Sequence, residues 1–136
     1  MMGYLLDTCV ISDFVKGEEN TLKKLKVISP TEVFISSLTV MEVKYGLAIN
    51  PERAVKIQPL IEAFLKAIIV LPFGSTEADQ AAQIRSILKI AGSPIGAYDV
   101  LIAATAVTHN HIVVTSNVRE FQRVPSLQIE NWRSPL

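Results

Sequence analysis

Short runs of β-branched and aromatic residues alternate along this chain with longer stretches of helical spacing, and that alternation narrows the folds open to it. Tyr4 to Leu6, Val33 to Ile35, Ile68 to Leu71 and Ile112 to Val114 read as strands. Helical periodicity runs from about Ser12 to Ser29, broken near Gly17, and from a Ser36-Ser37 cap to about Ile49. Asn50-Pro51 ends that helix and lets another begin, which continues to about Lys66. Ser75 or Thr76 caps a further helix to Ile90, and Gly92-Ser93-Pro94 breaks it. A nearly all-apolar helix follows from about Ala97 to His109, then a helical turn near Arg119 to Phe121 and an edge strand from Leu127 to Ile129. Strands separated by helices predict an α/β fold, with a parallel sheet covered on both faces. In such sheets functional groups collect beyond the carboxyl ends of the strands.

A chain of 136 residues without repeats, low-complexity tracts or long linkers suits one domain, residues 1–136. Its 49% hydrophobic and 19% charged residues exclude a disordered protein. Thirteen basic and thirteen acidic residues cancel, which argues against a simple nucleic-acid-coating module. They do not argue against an enzyme whose carboxylates are neutralised by bound cations, since the remaining surface is then basic. No segment approaches the roughly 18 apolar residues of a membrane span, and the start lacks the basic region of a secretory signal, so a cytoplasmic protein is expected. The single cysteine, Cys9, falls within the apolar pattern of the first element and makes no intrachain disulfide.

Several carboxylates sit where burial is expected. Asp7 directly follows the first strand, either as an N-cap for the next helix or as a functional acid at a strand end. Glu42 shares a helical face with Leu38, Thr39, Tyr45 and Gly46, so it must reach solvent, pair with a cation or bind a metal. Asp99 opens the apolar helix and is its sole charged side chain before His109; it either complements the helix dipole or belongs to a site. Thr115, Ser116, Asn117 and Glu120 add oxygen donors in the turn after Ile112 to Val114, where Asn117 is also a natural turn residue. Converging carboxylates repel unless protonated or bridged by cations, and hard oxygen ligands favour Mg2+ or Mn2+ and the hydrolysis of phosphodiesters.

Four blocks, LLDTCVISDF, SSLTVMEVKYGL, GSPIGAYDVLIAATAV and VVTSNVREFQRVPSLQIENW, in this order and at these separations, resemble the PIN-domain ribonucleases, and most closely the VapC-type toxins of type II toxin–antitoxin systems. The resemblance implies a three-layer α/β/α sandwich and a Mg2+- or Mn2+-dependent endoribonuclease held in check by a cognate antitoxin. By motif, Asp7, Glu42 and Asp99 match the family's first, second and third acids, catalytic and metal-binding. Asn117 stands where a fourth acid is frequent, with Glu120 shortly after, which leaves a second metal open. Such toxins commonly cut structured RNAs such as tRNA, and they commonly form homodimers.

Thr8 and Thr115 are candidates to position water or phosphate beside these acids, and Arg85, Lys89, Arg119 and Arg123 to hold an RNA backbone. His109 and His111 form a weak metal pair at a helix end, and Lys23, Lys24 and Lys26 a solvated face. Trp132 is expected to pack rather than stack a base. A receiver or HAD-like α/β domain also has an Asp after its first strand, but a HAD-like enzyme needs a second acid two residues later, where this chain has Cys9, and receivers lack the matching Glu42 and Asp99 arrangement. The alternative within the same fold is a catalytically weakened module that binds RNA or protein.

Overall fold

The structure, a computed structural model, describes residues 2–134; Met1, Pro135 and Leu136, included in the expected domain, lie outside the described residues. Strand β1 (Tyr4–Leu6) leads into helices α1 (Thr8–Lys16) and α2 (Glu19–Val27), and β2 (Val33–Ser36) into α3 (Ser37–Ile49) and α4 (Pro51–Ala67). Then come β3 (Ile69–Leu71), α5 (Ser75–Ile90), α6 (Ala97–His109), β4 (Ile112–Val114), α7 (Val118–Phe121) and β5 (Ile129–Glu130). All strand pairs are parallel, in the order β3-β2-β1-β4-β5, so β1 lies at the centre with β2 and β4 beside it. The expected three-layer α/β/α sandwich is therefore what these residues form.

Successive side chains on a strand point to opposite faces, and the two cores divide accordingly. Leu5 and Val113 pack with Ala81, Ile84 and Leu88 of α5 and with Ile102, Ala103 and Ala106 of α6. Their neighbours Leu6 and Val114 turn the other way, against Val10 and Ile11 of α1, Val43 of α3, Ile61 of α4 and Trp132. The central strands are covered on both sides, which is why their sequences are continuous apolar runs rather than alternating ones. Trp132 is buried against Tyr4, with ring centroids 5.5 Å apart, and its indole N–H donates to Glu130.

Several boundaries differ from those expected. Helix α1 starts at Thr8 rather than near Ser12, because the Asp7 side chain accepts the Thr8 N–H and caps the helix at once. The cap of α5 is Gly74, not Ser75 or Thr76: Glu77 reaches back to the Gly74 N–H at 2.8 Å, the acidic half of a capping box. The third strand begins at Ile69, not Ile68, and the last is Ile129–Glu130, displaced from Leu127 because Val113 and Val114 set its register.

Two polar tethers close the fold. Arg133 donates two hydrogen bonds of 2.7 Å to the buried Asp13 carboxylate, and its carbonyl accepts from Asn20, so the last described residues are fastened across α1 and α2. His111 Nδ1 accepts the Gly3 N–H at 2.9 Å while its ring stacks on Phe34, with centroids 4.1 Å apart. His109 bonds Glu77 at 3.0 Å. The histidines thus pair with protein groups of their own.

Candidate active site

The parallel order delivers Asp7, Ser36 and Thr115, each the first residue after or the last residue of a neighbouring strand, to one edge of the sheet. Asp7 is buried there, and its carboxylate is fixed from two sides. Oδ1 accepts the Thr8 N–H at 2.8 Å, and Oδ2 accepts the Thr115 hydroxyl at 2.8 Å. The cap that the sequence offered is formed, and the same carboxylate also bonds the Thr115 side chain across the sheet edge.

Ser36 caps α3 through the Leu38 N–H, and this sets Glu42 within the second turn of that helix, facing α1. Its Oε1 accepts the Thr8 hydroxyl at 2.8 Å. Asp99 lies in the first turn of α6, whose N-cap, Gly96, offers no side chain to compete for the helix amides. Asn117, in the turn after β4, donates from its amide to Asp99 Oδ2 at 3.4 Å and to Glu120 Oε2. The backbone N–H of Asn117 donates to the Thr115 hydroxyl oxygen at 2.9 Å, and Glu120 also accepts the Gly96 N–H at 3.2 Å. The result is a connected network: Glu42 to Thr8, Thr8 to Asp7, Asp7 through Thr115 to Asn117, and Asn117 to Asp99 and Glu120.

The electrostatics of this network call for positive charge. Burial raises the Asp99 carboxyl to about 7, reinforced by its hydrogen bond with Glu120 and by the charges of Asp7, Glu120 and Glu42. Glu120 moves the opposite way, lowered by its bonds with Asp99 and Asn117, so the proton the pair shares rests on Asp99. Among the described residues, no three His, Cys, Asp or Glu side chains are grouped tightly enough to hold a metal ion by themselves. The donor set nevertheless fits Mg2+ or Mn2+, which favour oxygen ligands and retain several waters, and a cation would relieve the repulsion that raises Asp99. The Thr8 and Thr115 hydroxyls and the Asn117 amide N–H groups lie between the acids, and Cys9 is the soft side chain beside Asp7.

The expected basic contacts are dispersed. Arg85 and Lys89 line a separate groove between α5 and α6 with Leu88, Pro94 and Val100. Arg123 donates to the Pro94 carbonyl at 2.9 Å, and Arg119 is exposed on α7. A second groove, about 210 Å³, opens at Thr8 and Glu42 and continues between α1, α3 and α4 past Ile11, Val43, Leu47 and Ile57. What the sequence reading missed is the linking role of small polar side chains. Thr8 and Thr115 join acid to acid, and Cys9, whose place in the apolar pattern gave no hint of it, sets its sulfur 3.6 Å from Asp7 Oδ2. The signal available was a Thr-Cys pair directly behind an acid in an otherwise apolar element.

Comparison with known proteins gives the family. The PIN domain family matches residues 4–127. The chain belongs to that family. Within it, the tRNA(fMet)-specific endonuclease VapC of Salmonella typhimurium is 34% identical over 134 residues, spanning 97% of this chain and 99% of the relative. Ribonuclease VapC2 of Rickettsia felis is 31% identical over 134 residues, spanning 96% and 98%. Among solved structures, DNA-bound VapBC from Salmonella typhimurium superposes with a TM-score of 0.88 at 33% identity, covering 97% of this chain and 99% of that one. FitAcB from Neisseria gonorrhoeae gives 0.85 at 32% identity, covering 95% and 97%. This PIN domain is an endoribonuclease of the VapC type, and the HAD-like rival falls away.

Proposed function

We propose that this PIN-domain ribonuclease hydrolyses phosphodiester bonds of a structured RNA, tRNA foremost, at Asp7, Glu42 and Asp99 with a Mg2+ or Mn2+ ion, Asn117 or Glu120 completing the site. The observation that carries the reading is the hydrogen-bonded network that draws these acids, from four separate segments of the chain, to one sheet edge. When bound, the cation supplies charge neutralisation at the phosphate and a more acidic attacking water. The protein's own part is to hold the ligands: Thr8 and Thr115 fix Glu42 and Asp7, and Asn117 fixes Asp99 against Glu120. Pre-set carboxylates need no reorganisation as charge develops on the phosphate oxygens.

A cognate antitoxin is the partner that fits this reading, covering the apolar groove between α1, α3 and α4 that opens beside Glu42. An exposed stripe of Met41, Tyr45 and Ile49 along α3 supports a homodimer. No helix among the described residues is long and apolar enough to cross a membrane. An RNA substrate is met in the cytoplasm, where this reading places the protein. The whole chain, residues 1–136, acts as a single PIN domain.

The test is cleavage of a tRNA pool by purified protein with Mn2+, beside Asp7→Asn and Asp99→Asn. Both variants should fold, by circular dichroism, and lose cleavage, and chelation should silence the wild type reversibly. Full activity in either variant would overturn the assignment.

A further inference from the structure

The Thr115 hydroxyl is buried; its one proton goes to Asp7 Oδ2, and its oxygen accepts the Asn117 N–H. With that proton committed, it is not free to donate to a phosphate. Beside it lies the Cys9 thiol, with its sulfur 3.6 Å from the same Asp7 oxygen and 3.7 Å from the Thr115 oxygen. That sulfur accepts the Ser116 N–H at 3.4 Å. Its own proton is then left to Asp7 Oδ2, reached directly or through the Thr115 oxygen. One side chain approaches Asp7 from α1 and the other from the turn after β4, and each also holds a backbone N–H of that turn.

We propose that Thr115 and Cys9 act together as positioning residues for Asp7, fixing the rotation of its carboxylate and keeping the Asn117 turn in register with it. This rests on reading Asp7 as a cation-holding acid. A carboxylate turns broadly about its last torsion unless both oxygens are engaged. Here Thr8 N–H takes one oxygen, and the hydroxyl and thiol take the other. The bond from Thr115 is short and strong, while that from sulfur is long and weak, so Thr115 leads and Cys9 assists. Packing alone is the competing explanation, and side chains of matched shape separate the two.

Thr115→Val keeps the shape and removes the hydroxyl; Thr115→Ser keeps the hydroxyl and removes the methyl. Thr115→Val should weaken Mn2+ binding, measured by titration calorimetry without RNA, by about 10- to 100-fold, with a similar fall in kcat and an unchanged KM for tRNA. Thr115→Ser should restore both. Cys9→Val should show a smaller loss in the same direction, restored by Cys9→Ser. Wild-type Mn2+ affinity in Thr115→Val would overturn the proposal, as would serine variants as impaired as the valine ones. Should Thr115→Val fail to fold, the Cys9 pair decides by the same readouts. Asp7→Asn runs alongside. If it still cleaves, the reading of Asp7 has failed; if it is dead while Thr115→Val binds and cleaves normally, only the positioning role has.

Discussion

At the scale of single residues, the acids were legible and their connections were not. Asp7, Glu42 and Asp99 stand out because each is a charge in an apolar setting, a conflict that local pattern exposes. Thr8 and Thr115 raise no such conflict, since threonine is at home in strands and at helix starts, yet they join Glu42 and Asp7 into one unit. Thr8→Val should therefore free Glu42 and lower kcat by about 10-fold with little change in melting temperature, compared by steady-state cleavage and thermal scans. Asp99 carries a further prediction. Its carboxyl is raised from an ordinary 3.8 to about 7, so it favours the fold while protonated and loses that contribution as pH climbs between those values. In cation-free buffer, Asp99→Asn should melt higher than wild type at pH 8 and converge with it at acid pH. Mn2+ should raise the wild-type melting temperature at pH 8 more than that of the variant.

Elements were easier to read than their ends. Each expected strand and helix formed, because two-residue and near-four-residue periodicities survive any tertiary context that buries one face. Ends are set by individual hydrogen bonds: Asp7 pulls the start of α1 forward, and Glu77 moves the α5 cap back to Gly74. The junction of β1 with α6 and β4 depends on His111, whose ring accepts the Gly3 N–H and lies against Phe34, with His109 and Glu77 nearby. Burial lowers the pKa of His111 from 6.5, helped by the charge of His109. A depressed histidine stabilises the fold at pH above 6.5, and that share is lost as pH falls below it, opposite in sign to Asp99. His111→Gln should flatten the decline in melting temperature between pH 7 and pH 5, and an unchanged slope would show that other groups govern it.

For the molecule as a whole, the parallel sheet explains why one edge gathers chemistry from distant segments. Arg133 and Asp13 close the opposite end of α1 across 120 residues of chain. Arg133→Met leaves the buried Asp13 without its cation and should cost about 2 kcal/mol in denaturant titrations, with no loss of cleavage at permissive temperature. Neither that clasp nor the Thr115 relay could be foreseen from sequence spacing, because both depend on β4 inserting beside β1 rather than following β3. The same strand order has a consequence for folding. A growing chain carries Asp7 and Glu42 well before β4 brings Thr115 and Asn117, and β4 joins the free edge of β1 with β5 still to follow. Asp7 is therefore left without its hydroxyl clasp until that edge is closed, so the order in which the strands join sets the order in which the network assembles.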